Sequence, residues 1–193
     1  MSALRSAARA AAPPTDYEPF PNAEGRNVLQ ASLEIPALVR ILRVPTRQRI
    51  LEVGCGRGVG LVALARLCEP ASLTGLDISA ELLGAARERL ARAETAAELH
   101  QGDVRSLPFP AESFDIVIDF GTCYHIANPA CALAEIARVL RPGGKFIHET
   151  PLAQLLAHPL RTRGRSLPWR GVPELARGRT AGLWAVRVKR GDS

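Results

Sequence analysis

Four acidic side chains stand where apolar runs of strand length come to an end: Glu52 before Val53-Gly54, Asp77 after Gly75-Leu76, Asp103 after Gly102, and Asp119 after Val117-Ile118. A carboxylate at a strand tip can accept both hydroxyls of a ribose, which suits Asp77, or an exocyclic amine such as adenine's, which suits Asp103. Each acid alone is more often a helix cap or a turn residue. Three in register at successive strand tips are better explained by a ligand. Beside Glu52 lies the glycine-rich turn Gly54-Cys55-Gly56-Arg57-Gly58, where the backbone can turn sharply and approach a bound molecule. A dinucleotide fingerprint would need glycine at position 59, which is Val59, and a phosphate-cradling loop would need a Gly-Lys-Ser/Thr that is absent. An acid at the turn favours a ligand cation over a pyrophosphate.

Groups able to move a proton lie just beyond. Tyr124 and His125 follow the fourth apolar run, where a base or an acceptor-orienting group would sit, although a loop imidazole near the helix after Pro129 is the plainer reading of His125. His148 and Glu149 end the fifth run, and because neighbours on a strand face opposite ways, at most one enters a shared pocket. Cys55 and Cys123 follow strands expected to be neighbours, but without further paired cysteines a thiol-dependent reaction is not expected.

The elements that must carry these groups can be read from periodicity. Val28–Leu42 has helical spacing interrupted at Pro36, Arg49–Val53 is a buried strand, and Leu61–Leu67 an apolar helix. Ser72–Asp77 is the second strand, and Ser79–Ala93 the next helix, with Ser79 placed as its cap. Glu98–Gln101 is a weaker third strand, and Phe114–Phe120 a β-branched run buried on both faces. A helix over Ala130–Leu140 is stopped by Arg141-Pro142-Gly143-Gly144, and Lys145–Glu149 and Gly182–Val188 are the remaining strands. Strands alternating with helices predict an α/β fold: a doubly wound, mainly parallel sheet with helices on both faces and six or seven strands. Between Pro151 and Ala181 no sixth strand stands out, only helical fragments at Pro151–Ala157 and Pro173–Arg177.

Composition bounds the rest. The chain has 193 residues, 47% of them hydrophobic and 23% charged, the proportions of one globular domain. No apolar run approaches the roughly 18–20 residues that cross a bilayer. The four cysteines lack CxxC spacing, which favours a reducing, cytoplasmic setting and argues against a structural metal site. The net charge of +6 is unevenly placed: nine basic residues against two acids follow Leu160, so the body before it is close to neutral. The C-terminal excess suits either solvated surface or an anionic partner. Residues 1–27 form a Pro-rich extended leader or lid carrying Tyr17 and Phe20, and 28–193 the domain proper, with 151–193 its basic, acceptor-side part. Trp169 is expected to be exposed near a lid, and Trp184 to be core.

The ordered series ILEVGCGRGVG, LTGLDIS, HQGDVRSLPFP, FDIVIDFGTCYHIANP and ARVLRPGGKFIHE resembles the class I S-adenosylmethionine-dependent methyltransferases, in particular the small type-11, ubiquinone-biosynthesis-like group, over about residues 28–150. The resemblance implies a Rossmann-like fold and S-adenosylmethionine as cofactor, with S-adenosylhomocysteine as product. It implies that Glu52 and the Gly54, Cys55, Gly56 backbone hold the methionine moiety, Asp77 the ribose, Ile78 an adenine face, and Gly102, Asp103 and Val104 the adenine edge. Asp119 and Phe120 would flank the sulfonium, and His125 and Tyr124 would serve catalysis. The acid at position 119 departs from the family pattern, which more often has a small or neutral residue there. The expected acceptor is a small molecule or lipid, in which the arginines could recognise an anionic group. Nucleic acid is not expected, because no Asn-Pro-Pro-Tyr-type motif follows the fourth strand. The alternatives are an RNA or protein methyltransferase using the basic segment, or a binding module without turnover.

Overall fold

The computed structural model describes residues 23–157 and 166–191. The chain begins with α1 (Ala23–Leu29), which passes through a π turn (Gln30–Glu34) into α2 (Ile35–Leu42). Helix therefore reaches back into the segment expected to be extended. Nor does Pro36 interrupt it: the N–H of Ile35 bonds to the carbonyl of Gln30, and the proline falls in the first turn of α2, where a missing N–H costs nothing. Tyr17, Phe20 and the rest of the proposed leader up to residue 22 lie outside the described residues, as do Arg161, Arg163 and Arg165.

Then follow β1 (Arg49–Val53), α3 (Val59–Cys68), β2 (Ser72–Asp77), α4 (Ala80–Arg92), β3 (Glu98–Gln101), β4 (Phe114–Asp119), α5 (Pro129–Val139), β5 (Leu140–Glu149), α6 (Pro151–Ala157), β6 (Leu175–Ala181) and β7 (Trp184–Lys189). The strands form one seven-stranded sheet in the order β3-β2-β1-β4-β5-β7-β6. All pairings through β5 are parallel, and β7 runs antiparallel to both its neighbours. The order reverses between β1 and β4, which is the switch point where such sheets bind ligands at their carboxyl edge. Ser79 caps α4 as its position suggests, its Oγ accepting from the Leu82 N–H at 3.2 Å.

Two apolar layers cover the two faces. One gathers Leu51, Val53, Val117 and Phe146 beneath α5, and the other gathers Ile50, Ile116, Ile118 and Ile147 beneath α2 and α3. Successive residues of β1 and β4 divide between the layers, as strand alternation requires. Trp184 is core. Trp169 is not an exposed lid residue. It packs on the first layer, its ring 4.7 Å from that of His148, with the Arg187 guanidinium 4.0 Å from its centroid.

The structure adds a sixth strand. β6 (Leu175–Ala181) pairs with β7 across the span expected to lack one, and takes the place of the helical fragment expected at 173–177. At β5 the Arg141–Gly144 turn is absorbed as a bulge: Phe114 pairs with Leu140 and Ile116 with Lys145.

At the sheet's opposite edge Asp115 ties three strands together. Its carboxylate accepts from the Arg49 N–H at 2.8 Å, from the Arg49 guanidinium at 3.1 and 3.2 Å, and from Arg141 Nε at 2.5 Å. Partial burial pushes its pKa up, but these donors prevail and hold the carboxyl far below its ordinary range. The stability it adds is complete above the unfolded pKa and is lost as pH falls toward the depressed one. Asp115→Asn should cost about 1–3 kcal/mol in urea unfolding at neutral pH, with the difference from wild type shrinking in acid.

Candidate functional site

The carboxyl edge of the sheet carries a cavity of about 530 Å³, walled by the tips of β1, β2, β4 and β5 and by α1 and α6. A smaller cleft of about 190 Å³ between Leu42, Val44 and the strands Ile116, Ile147, Val186 and Val188 belong to is mostly aliphatic and brings in no carboxylate or imidazole. The chemistry is at the larger one.

Glu52 sits at its floor, almost fully buried, with Oε2 lacking any hydrogen-bond partner. It fits there because Gly60, in the first turn of α3, has no side chain: a Cβ would overlap the Glu52 carboxylate. Burial first, and then the charges of Asp77 and Asp119, push the Glu52 carboxyl well above its ordinary pKa. A buried carboxylate with an unsatisfied oxygen is poised to take a cationic donor from a ligand.

The turn after β1 is locked before any ligand arrives. Gly54 and Cys55 both donate to the Leu76 carbonyl, at 2.7 and 3.0 Å, and Gly56 N–H donates to Asp77 Oδ2 at 2.8 Å. Asp77 Oδ1 accepts from Ser79 N–H at 2.9 Å, so the ribose candidate is held rigid from two sides. Gly54 has φ +66° and stands so close to Thr122 that a Cβ would overlap its Oγ1. Asp103 faces the cavity too, but is engaged by Arg105 Nε at 2.9 Å and Nη2 at 2.5 Å, and that pairing holds its carboxyl below the ordinary range.

Every sequence-derived binding residue other than Asp119 lines this cavity: Glu52, Gly54, Cys55, Gly56, Asp77, Ile78, Gly102, Asp103, Val104 and Phe120. Asp119 does not. It is turned beneath the following 3₁₀ turn (Thr122–Tyr124), accepting from Thr122 N–H at 2.6 Å and Cys123 N–H at 3.2 Å. Its carboxylate thus organises the loop after β4 and stays off the cavity wall, contrary to the expected position. Of the proton-moving candidates, His125 lines the wall and Tyr124 does not: the Tyr124 hydroxyl donates to the Glu149 carbonyl at 3.3 Å, and burial raises its pKa. Burial likewise raises the thiols of Cys55 and Cys123, which keeps them protonated.

The strand-alternation argument holds at the tip of β5. Glu149 faces the cavity, while His148 lies against Phe146 and Trp169 with Nε2 unpartnered, and burial pushes its pKa down to about 4. Gln154 of α6 joins the wall, donating from Nε2 to Glu149 Oε2, with Oε1 3.1 Å from His125 Nε2. Sequence reasoning missed Gln154, Arg26, Asn27 and Gln30. The available signal was Gln154 as the single polar residue in the apolar helix Pro151–Ala157. Among the described residues no group of His, Cys, Asp and Glu could hold a metal.

A doubly wound sheet in this strand order, with an acid-lined cavity over its switch point, is the architecture of a class I methyltransferase. Residues 51–148 match the family model of the type-11 methyltransferase domain, and the chain belongs to that family. Among curated relatives, the fatty-acid O-methyltransferase of Mycolicibacterium smegmatis is 43% identical over 101 residues, which are 52% of this chain and 36% of that protein. A phthiotriol/phenolphthiotriol dimycocerosates methyltransferase of Mycobacterium leprae is 42% identical over 101 residues, covering 52% and 37%. The match thus spans little more than a third of those relatives' length. A solved putative S-adenosyl-L-methionine-dependent methyltransferase of Methanococcus maripaludis shares the fold at TM-score 0.71 and 20% identity, covering 88% of this chain and 92% of that one. The YcgJ protein of Bacillus subtilis matches at TM-score 0.62 and 25% identity, covering 75% and 68%.

S-adenosylmethionine is the cofactor that this membership implies. The residues present fit it: the unsatisfied Glu52 oxygen calls for a cation, the glycine turn contains no phosphate-binding lysine, and the wall carries Glu52, Asp77, Glu81, Asp103 and Glu149 against three arginines, of which Arg26 and Arg105 are paired with Glu34 and Asp103.

Proposed function

We propose that the protein transfers a methyl group from S-adenosylmethionine to a small-molecule or lipid acceptor. The observation that carries this reading is the buried, unpartnered Glu52 oxygen at the floor of an acid-lined cavity. The cofactor supplies a methyl group activated by a positively charged sulfur. The chain's part is to bind, align and exclude water, since in-line displacement needs the reacting atoms held about 3–3.5 Å apart. Glu52 receives an ammonium, with the Gly54, Cys55, Gly56 backbone beside it. Asp77 receives the ribose hydroxyls, Ile78 packs against adenine, and Gly102, Asp103 and Val104 border its edge. Phe120 closes the reacting side, and His125 with Gln154 and Glu149 faces the acceptor.

An apolar acceptor is favoured by the helices that complete the wall. Of the nine exposed large hydrophobic residues among the described ones, Val28, Leu29 and Leu33 lie on α1 and the π turn, and Leu152, Leu155 and Leu156 on α6. None of these six lines the cavity itself, but they make the surface beside it apolar, which suits a greasy molecule better than a nucleic acid. The names of the two curated relatives point the same way. No helix among the described residues is long and apolar enough to cross a membrane.

Calorimetric titration with S-adenosylhomocysteine tests the reading, with NADH as the phosphate-bearing control. Binding of the first and not the second is expected. Asp77→Ala should weaken it by about 1–3 kcal/mol through the lost ribose hydrogen bonds. Equal affinity in the variant would remove Asp77 from the site, and no binding to the folded wild type would reject the function.

A further inference from the structure

We infer that Glu149 is the proton acceptor for a hydroxyl-bearing acceptor, so that the site methylates an uncharged alcohol or phenol and discriminates against the corresponding carboxylic acid. This deepens the methyltransferase reading above and rests on it.

The geometry is that of a base held ready. Glu149 is buried at the tip of β5 with its side chain on the cavity wall, at the opposite end of the β2-β1-β4-β5 row from Asp77 and Asp103. Gln154 fixes one carboxylate oxygen by donating from Nε2 to Oε2, which turns its own Oε1 toward His125 Nε2 and makes that nitrogen the donor of the pair. His125 acts here as a positioning residue, its Nε2–H holding Gln154 Oε1 and through it the orientation of the amide. Oε1 of Glu149 is the oxygen left to meet a hydroxyl.

The surroundings select the charge of the acceptor. Facing Glu149 are Asp119 from β4, Arg26 and Glu34 from the first helical segment, and His125 through Gln154. The one guanidinium among them, Arg26, is bonded to Glu34 at 2.6 Å. A carboxylate acceptor would enter next to Glu149, with the charge of Asp119 buried behind it and the local cation already paired, and like charges that close repel strongly in a site screened from water. A hydroxyl instead donates a hydrogen bond to Oε1. Burial and then Asp119 push the Glu149 carboxyl up to about 7, which matches its strength to proton transfer near neutrality.

The step balances without a further reagent. As the acceptor oxygen forms its bond to the methyl carbon, its O–H bond breaks and the proton passes to Glu149 Oε1. The carbon–sulfur bond breaks with its electron pair retained by sulfur, which becomes the neutral thioether of S-adenosylhomocysteine. Glu149 then returns the proton to solvent.

The test uses the full chain, with para-octylphenol, dodecanol and dodecanoate as acceptor probes. Methylation of at least one hydroxyl probe is expected, faster than that of dodecanoate, with a kcat that rises through a limb near neutral pH. Glu149→Gln should lower that kcat by about 100-fold or more and flatten the limb, while Glu149→Asp retains a larger share of activity. Apart from turnover, dodecanoate binding to the protein loaded with S-adenosylhomocysteine should weaken about tenfold from about pH 6 to about pH 8 in wild type and stay level in Glu149→Gln, because the repelling charge is gone. S-adenosylhomocysteine itself should bind wild type and Glu149→Gln alike. If wild type does not bind it, the methyltransferase reading fails and takes this inference with it. If it binds but dodecanoate is the better acceptor, no hydroxyl probe is methylated, or Glu149→Gln keeps its rate, the inference alone is overturned.

Discussion

Glu52→Gln is expected to stabilise the ligand-free protein by about 1–3 kcal/mol at slightly alkaline pH and to weaken S-adenosylhomocysteine binding on the order of 100-fold. The two effects share one cause. The Glu52 carboxyl is buried with an unpartnered oxygen, near Asp77 and Asp119, so its ionisation is penalised in the fold without ligand. An amide of the same shape removes that penalty. Because the folded-state pKa lies above the unfolded one, the native protein holds the proton more tightly across the interval between them, and stability falls as pH rises through it. The gain from Glu52→Gln should therefore be small near pH 4, where both states are protonated, and grow as pH rises. Binding moves the other way, since an ammonium loses a charge-assisted partner in a site largely closed to water. Urea unfolding at several pH values, paired with calorimetry, reads both. A variant less stable than wild type at alkaline pH would show that the carboxylate is compensated within the protein.

That opposition explains why the site was partly legible in the sequence. A glycine turn, a strand-tip acid and a second strand-tip acid are local features. They come from short segments whose spacing is fixed by strand and helix periods, and the structure brings them to one edge in the expected order. The parallel core was legible for the same reason: Phe114–Asp119 is apolar on both faces because it is covered on both. β6 was not legible. Its sequence, Leu-Ala-Arg-Gly-Arg-Thr-Ala, has neither alternation nor a β-branched run, and its residues are mostly half-buried or exposed. It is an edge strand, specified by its pairing with β7, with a register shift between Arg177 and Thr180. Nor could the sequence tell Asp119 from its neighbouring acids. All stand at strand tips, and only the tight turn at Thr122–Tyr124, whose N–H groups point back at it, turns this one away from the cavity. Gln154 and Glu149 are five residues apart on different elements, so their pairing exists only once α6 folds back over β5.

Gly54→Ala should disable the site more completely than the loss of any single hydrogen bond, because one methyl group violates two constraints at once. The residue has φ +66°, a region in which a non-glycine side chain costs on the order of 1 kcal/mol or more. Its Cβ would also overlap Thr122 Oγ1 and come within 2.9 Å of Thr122 Cβ and 3.0 Å of Thr122 Cγ2. Relief requires either the turn after β1 or the turn after β4 to shift. The first carries the N–H groups bonded to Leu76 and Asp77, and the second carries the N–H groups bonded to Asp119. Either shift displaces cavity wall, so S-adenosylhomocysteine binding should fall below detection while the protein loses about 2–4 kcal/mol in denaturant unfolding, within the range of overpacking plus backbone strain. The steric share can be isolated. Thr122→Ala removes Oγ1 and Cγ2 and gives up only the 3.3 Å bond from the hydroxyl to the Val53 carbonyl. In the double variant the overlap is reduced to the Cβ contact, so the pair should be distinctly less destabilised than the sum of the single changes, by about 1–2 kcal/mol. Additive losses would mean that the turn at Gly54 yields by itself, and that contact with the β4 loop does not set the shape of the cavity.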